Sequence, residues 1–391
     1  MRVLLLLTII LATSVPAFSQ IPKAEPLRAW KTAEGAAFTA TVLEFDGKEV
    51  VFKMPTGQSV KAALGKLSAE DQAWLAEWQK RRPIKVTMPD EVGVESANMK
   101  AEVVSEDAAG EKFVYRTPHF EFESQGKFNT TLLREVARNF EATYELVKAL
   151  PWGIEPTPAS GEYFKAHLFK NKEAYYSAGA PANSGGVYMG DRETFFVPFE
   201  NIGVKLVGKS YAKDENFTTH TMVHELTHEM MNHWLRSLPQ WIVEGTAEYT
   251  GTMPLKTGKF RVSAAKNGLK DYVEFLKKRA VGGMPEPYPL DQLFRITNEQ
   301  WNETLASTPT ASHRLYFTSY LLVYYFMHLD GAGDGQHFVR FFRAIGETRK
   351  VGARTDEAAA LAALNILLDG RSDADLMKQI RSAYAKLGIR L

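Results

Sequence analysis

The sequence predicts an α+β protein, in which a small β-rich module precedes a larger domain with a small mixed sheet and a helical half. Strand-like runs within residues 28–80 are separated by turn signals spaced about ten residues apart. Strand and helix patterns then alternate between residues 113 and 198, and the chain is mostly helical from Phe217 onward. This order of patterns indicates separate β-rich, mixed and helical regions.

Composition excludes several classes of protein. The chain has 391 residues, no cysteine, and 47 basic against 46 acidic side chains, which gives a net charge of +1. That balance provides no broad attraction for nucleic acid or for an anionic membrane. Without cysteine there is no disulfide, thiolate metal site or cysteine nucleophile. Any bound metal must therefore be held by His, Asp or Glu.

The first residues have the features of a secretory signal peptide. Arg2 precedes the apolar run 3–12, and Ala17-Phe18-Ser19 is a small-x-small cleavage site. We expect residues 1–19 to be removed and the protein to be exported to the periplasm or the extracellular space. An uncleaved anchor is the alternative, but the run is too short to remain as a stable membrane span, and no cysteine follows it for lipid attachment.

Residues 26–81 form the predicted β module. Asp46-Gly47 lies between the runs 42–45 and 50–52, which is a strong hairpin signal. Ser68 can cap a short helix at the end of the module. These features resemble the Sla-one homology domain, an SH3-like β-barrel. The matching residues are Arg28-Ala29-Trp30, Gly35, Phe38-Thr39-Ala40, Gly57 and Leu67-Ser68-x-Glu70-Asp71-Gln72. The resemblance implies a short-peptide ligand, and a purely structural module fits equally well.

The rest of the chain is predicted to be a linker and one larger domain. Residues 82–110 lack periodicity and contain two prolines and an acidic stretch, which indicates a linker. The domain is expected to span residues 111–391. Its first elements are predicted to be a strand at 113–123, a helix at 128–150, and strands at 163–169 and 194–198. We expect the last strand to be the sheet edge on which an extended peptide pairs.

His224-Glu225-Leu226-Thr227-His228 is the most informative pattern in the chain. Residues four apart lie on one face of a helix, so the two histidines can bind one cation in neighbouring positions. Glu225 then lies beside the metal, where it can hold a water molecule. A catalytic zinc site also needs a third protein ligand and an open position for water.

The third ligand is expected on a second helix. A metzincin would have histidine where this chain has Trp234, so that arrangement is absent. After Pro239 the chain reads Gln240-Trp241-Ile242-Val243-Glu244-Gly245-Thr246-Ala247-Glu248. The two motifs together resemble the gluzincin metallopeptidases of the peptidase-MA-like group, over residues 113–391. The resemblance implies that His224, His228 and Glu244 hold one zinc ion per chain, with Glu225 as general base.

Glu244 and Glu248 lie one turn apart on the same helix face, so either could reach the zinc. We assign Glu244 because it precedes Gly245, whose missing side chain would let the two helices approach closely. Glu248 is then expected to accept the remaining N–H of a ligand histidine, His224 in our assignment. His220 lies one turn before His224, and we expect it beside the site or in solvent rather than as a fourth ligand.

Gluzincins commonly supply a second donor to the reacting oxyanion, from a Tyr or His several dozen residues beyond the third ligand. The candidates in that range are His313, Tyr316 and Tyr320. We favour Tyr316. An ordinary packed aromatic or surface histidine is the alternative for each.

These residues predict an exported zinc metallopeptidase that uses a metal-activated water, with Glu225 as base, on a peptide or protein substrate. Two other interpretations stay open. One is a catalytically idle peptide- or protein-binding protein that uses the β module, and the other is a zinc amidase acting on a non-protein amide. Glu225 argues against the first, because a purely structural metal site has no use for that carboxylate. The metal chemistry is the same for the second.

Overall fold

The chain folds into two compact units. The computed structural model describes residues 27–45, 47–81, 86–95, 99–182, 184–279, 284–349, 355 and 357–391. Contacts within the chain separate Met1–Pro83 from Ile84–Leu391. The predicted signal peptide lies outside the described residues. Both units contain helices and strands in small sheets, which confirms the predicted α+β class in its broad form.

The first unit is a four-stranded antiparallel meander followed by a helix. Its elements are β1 (Arg28–Lys31), β2 (Ala37–Phe45), β3 (Glu49–Lys53), β4 (Ser59–Ala63) and α1 (Ala69–Arg81). Each strand pairs with the next along the chain. β2 and β3 pair Phe45 with Val50, which confirms the hairpin predicted at Asp46-Gly47, although Asp46 itself lies outside the described residues. Ser68 accepts the Asp71 backbone N–H at the start of α1, as expected.

The predicted barrel is not closed in the described part of this unit. β1 and β4 are the edges of the sheet, and one isolated bridge joins Thr32 to Leu67 beyond them. The core is built around Trp30, Phe52 and Trp78. Most of β4 is exposed, so this strand contributes little apolar surface that could fold over the core.

The second unit begins with a six-stranded mixed sheet. Its strands are β6 (Glu102–Asp107), β7 (Lys112–Arg116), β8 (Phe120–Ser124), β9 (Phe164–Phe169), β10 (Val187–Met189) and β11 (Thr194–Pro198). They lie in the order β10-β11-β9-β8-β7-β6, with β8, β9 and β11 parallel and the outer pairs antiparallel. The helices after β8 and β9 are α2 (Thr130–Ala149) and α3 (Lys172–Ser177).

Two expectations for this sheet are wrong. The alternating segment 113–123 is not one strand but the two strands β7 and β8. Pro118 has no N–H for a ladder, and the Thr117 N–H bonds the Phe120 carbonyl at 2.9 Å to form the turn. Strand β11 is also not the edge, because β10 pairs along its outer side. Sequence periodicity does not predict the short strand β10, because three residues are too few to show the alternation of a strand.

The segment predicted as a linker differs as well. Two of its stretches are strands of the second unit: β5 (Val92–Gly93) and β6. β5 pairs with β15 (Lys259–Phe260), which in turn pairs with β14 (Leu255–Lys256). β5 therefore gains its order from a partner distant in sequence, which local periodicity does not report. A further hairpin is formed by β12 (Val204–Val207) and β13 (Ser210–Lys213).

The rest of the second unit is helical, as predicted. Its helices are α4 (His220–Met230), α5 (Gln240–Gly251), α6 (Ala265–Arg279), α7 (Leu290–Leu293), α8 (Asn298–Ser307), α9 (Pro309–His328), α10 (Gln336–Thr348), α11 (Glu357–Leu368) and α12 (Asp373–Lys386). Among the helices that the structure describes, none combines the length and the apolar character needed to cross a bilayer.

α5 is the central helix of this half. All of its residues after Gln240 are buried, and it packs against both α4 and α9. A Cβ added at Gly251 would lie 3.0 Å from the His220 carbonyl of α4. A Cβ added at Gly245 would lie 2.5 Å from the Ser319 carbonyl of α9. The expectation that Gly245 permits close approach to the metal helix is therefore corrected, because Gly245 faces α9.

Replacing Gly245 by alanine should force α5 and α9 apart. The added Cβ meets a backbone oxygen that cannot turn away, and overpacking of this kind costs about 1–3 kcal/mol. We expect the free energy of unfolding, measured by denaturant titration, to fall by that amount in Gly245→Ala. Gly190→Ala is the matched control, because no atom lies within 4 Å of its added Cβ. Equal stability of the two variants would contradict the close packing of α5 on α9.

Candidate metal centre

α4 and α5 each present a stripe of polar side chains, one turn apart, to the other helix. The two stripes are His220, His224 and His228 on α4, and Gln240, Glu244 and Glu248 on α5. Their contacts run in opposite order, because the first histidine contacts Glu248 and the last contacts Glu244. The middle histidine, His224, contacts both carboxylates. Each carboxylate of α5 therefore lies between two successive histidines of α4.

Three atoms converge at the centre of these stripes. Glu244 Oε2 lies 3.3 Å from His224 Nε2 and 3.4 Å from His228 Nε2. The two imidazole Nε2 atoms are 3.1 Å apart. Glu244 Oε2 is buried and has no hydrogen-bond donor among the described residues. The structure thus brings together the three residues that the sequence proposed as metal ligands.

These distances match the edges of a metal-ligand tetrahedron. Zn²⁺ binds imidazole nitrogen and carboxylate oxygen at about 2.0–2.1 Å, and tetrahedral geometry then separates the ligand atoms by about 3.3 Å. The observed separations of 3.1, 3.3 and 3.4 Å are close to that value. Two imidazoles and one carboxylate suit zinc and other borderline divalent ions, and they leave the fourth corner open. The residues therefore fit a divalent metal ion.

The same contacts stabilise the charges of the buried side chains. Burial alone would raise the pKa of Glu244, but His228 and His224 lower it to about 2. Burial alone would lower the pKa of His224, but Glu244 and Glu248 raise it well above its usual value. Because a metal ligand must be a neutral imidazole, metal binding would release the protons that these pairs hold.

Glu248 contacts the far side of the candidate ligand His224. Its Oε1 lies 3.1 Å from His224 Nδ1, a charge-pair contact without good hydrogen-bond alignment. Its Oε2 lies 3.1 Å from His220 Nε2, and the Tyr272 hydroxyl interacts with the same carboxylate. Burial would raise the pKa of Glu248, but His220 and His224 lower it. Glu248 is thus positioned to fix the orientation of His224, and His220 lies beside the site rather than in it.

Glu225 lies next to the candidate metal ligands on α4. Burial of its carboxyl group raises its pKa, while His224 and His228 oppose that rise. Its Oε2 accepts the backbone N–H of Tyr188 at 3.3 Å. Tyr188 is the middle residue of the edge strand β10. The sheet edge and the proposed general base therefore meet at one hydrogen bond.

The three candidate oxyanion donors all lie on α9, but their surroundings differ. The Tyr316 ring lies 6.2 Å from the His224 ring and is only partly buried. Tyr320 is buried at 1% exposure and packs edge-on against Tyr272. His313 is exposed to solvent. Of the three, Tyr316 is thus the one whose ring contacts a candidate metal ligand.

Sequence reasoning missed three contacts around the cluster. The Tyr188 amide meets Glu225, the Tyr272 hydroxyl meets Glu248, and Gln240 Nε2 donates to Glu244 Oε1 at 2.8 Å. Spacing could have indicated Gln240, which lies one helical turn before Glu244. No local pattern relates Tyr188 or Tyr272 to residues on α4 and α5.

No protein-family model matches this chain, and no curated protein matches it significantly. The assignment of the site therefore rests on its own geometry and donor chemistry.

The positions of the two carboxylates predict different losses of metal. Glu244→Ala removes the oxygen that faces both Nε2 atoms, so we expect zinc binding to be nearly abolished. Glu248→Ala removes only the partner of His224 Nδ1, and such losses weaken metal affinity by roughly 10–100-fold. Zinc titration with a competing chelator measures both effects.

Glu303→Ala is the matched control for this pair, because Glu303 is an exposed carboxylate on α8 of the same unit. Its zinc affinity should equal that of the wild type. If Glu248→Ala strips the metal while Glu244→Ala retains it, the two roles are reversed.

Proposed function

We propose that this chain is a zinc-dependent peptidase of the gluzincin type. The observation that carries the proposal is the convergence of His224 Nε2, His228 Nε2 and Glu244 Oε2, with Glu225 beside them. Two neutral imidazoles and one carboxylate leave a divalent ion with a net positive charge and an open position, which is typical of catalytic rather than structural zinc sites. A zinc ion bound there lowers the pKa of water toward neutrality and polarises a carbonyl group.

Glu225 is proposed to act as the general base. Its raised pKa brings the carboxylate closer to the range in which a group can both take and return a proton near neutrality. Glu225 receives the proton of the attacking water and passes it to the leaving amine. The Tyr188 N–H bond keeps the carboxylate turned toward the sheet edge.

Tyr316 is proposed to stabilise the charge that develops on the carbonyl oxygen. Burial raises the pKa of its hydroxyl well above the usual value, so the group stays protonated and can donate a hydrogen bond. Preorganised donors of this kind contribute strongly in a water-poor site.

The substrate is proposed to be an extended peptide that pairs with β10. The outer side of this strand faces away from β11, and its Tyr188 N–H already reaches the proposed base. A strand added at that edge would have its backbone held by ladder hydrogen bonds, with a peptide bond close to Glu225.

Export and the N-terminal module complete the proposal. On the predicted signal peptide, we assign the enzyme to the periplasm or the extracellular space. We assign the first unit to the SH3-like Sla-one homology type on its sequence motifs, and its meander of four strands is compatible with that assignment. Its role would be to bind a short peptide.

Glu225→Gln should keep the metal and the fold but lose hydrolysis. The amide has nearly the same shape as the carboxylate but cannot accept a proton, and loss of a general base typically lowers the rate by about 10²–10⁴-fold. Elemental analysis should give about one zinc per chain in both proteins. A degenerate peptide library provides the substrate. Cleavage by Glu225→Gln at near the wild-type rate would assign the proton transfer to another group.

Tyr316→Phe should lower the turnover rate without loss of zinc. Removal of one oxyanion donor typically costs about 10²–10³-fold in kcat. The matched control is Tyr320→Phe, which removes a buried hydroxyl from the same helix one turn away. We expect the control to retain activity. Equal losses in both variants would mean that the effect comes from packing of α9.

A further inference from the structure

The two oxygens of Glu244 have different partners. Gln240 begins α5 directly after Pro239, and its amide Nε2 donates to Glu244 Oε1 at 2.8 Å. A carboxylate can only accept hydrogen bonds, so the nitrogen of the Gln240 amide must face it. Glu244 Oε2 has no donor among the described residues and faces the two imidazole Nε2 atoms at 3.3 and 3.4 Å. One oxygen is therefore engaged within α5 and the other is left for a cation.

We infer that Gln240 is a positioning residue that keeps Glu244 a one-oxygen metal ligand. The inference rests on the metal centre of the proposed function. Glu244 could otherwise turn both oxygens toward a cation, as carboxylates do in several metal sites. A second bound oxygen would fill the corner that a catalytic site keeps open for water and substrate.

If the same hydrogen bond had only a structural role, we would expect a different experimental result. Gln240 and Glu244 lie four apart on one helix, and pairs at that spacing stabilise helices in general. If that were the only role, losing the bond would lower stability without changing how the metal is bound. Coordination number separates the two roles, because it reports the number of bound oxygens and not the stability of α5.

Co²⁺ bound in place of zinc provides the measurement. Four-coordinate Co²⁺ absorbs visible light much more strongly than the same ion with more ligands, and geometry is diagnostic for such ions. We expect the full-length wild type to give the intense spectrum. Gln240→Met, which conserves side-chain length without the amide, should lose intensity and shift to shorter wavelength. Its zinc affinity should fall roughly 10–100-fold, as for other partners of metal ligands. Gln240→Leu should behave in the same way, and it replaces Gln240→Met in the measurement if that variant does not fold.

Two control variants isolate the amide. Gln292→Leu makes the same change as Gln240→Leu at an exposed position on α7. It should leave the Co²⁺ spectrum and the zinc affinity unchanged. Ile242→Val weakens the packing of α5 at a fully buried apolar position, so it should lower the thermal midpoint while keeping the wild-type Co²⁺ spectrum.

The inference is overturned if the Gln240 variants keep the wild-type spectrum, whatever happens to their stability. It is also overturned, together with the proposed function, if the wild type binds no divalent metal. A wild type that binds Co²⁺ but cleaves no peptide would end the proposed function alone, since a spectral change in the Gln240 variants would still support the role of this residue.

Discussion

The burial of two carboxylates between α4 and α5 is the constraint on which the second unit depends. Glu244 and Glu248 lie on a helix whose other residues are almost all buried, and an unpaired carboxylate there would destabilise the fold by several kcal/mol. The imidazoles of α4 remove that penalty only if the two helices keep their register. Gly251 contributes to this register, because its missing side chain lets α5 approach the His220 carbonyl of α4.

This pairing also explains why distant elements meet at the cluster. α9 packs on the opposite side of α5, where Gly245 admits it closely, and so carries Tyr316 to the His224 ring. The sheet packs against α4 through its strands β10 and β11, and the amide of Tyr188 reaches Glu225. Glu225 and the candidate ligands therefore lie on α4 and α5, Tyr316 comes from α9, and the amide of Tyr188 comes from the sheet.

Local patterns predicted the elements whose order depends on neighbouring residues. The strand β11 agrees with the predicted bounds, and the hairpin between β2 and β3 follows the turn signal at Asp46-Gly47. Local sequence patterns did not predict strands whose pairing partner is distant in the sequence. β5 is ordered by β15, more than a hundred residues later in the chain. Residues 113–123 alternate through Pro118, so periodicity alone could not reveal the turn.

The sequence by itself determined two residues of the candidate metal site, because a spacing of four residues places His224 and His228 on one face of any α-helix. It also determined that Glu225 lies beside that face, and that the third ligand had to be a carboxylate or histidine. Only the tertiary structure decided which oxygen of Glu244 faces both imidazoles, that Glu248 meets His224 Nδ1, and that Tyr316 rather than Tyr320 approaches the cluster. The reason is physical: helix periodicity sets directions within one helix, whereas the distance between residues on different helices depends on packing contacts such as those at Gly245 and Gly251.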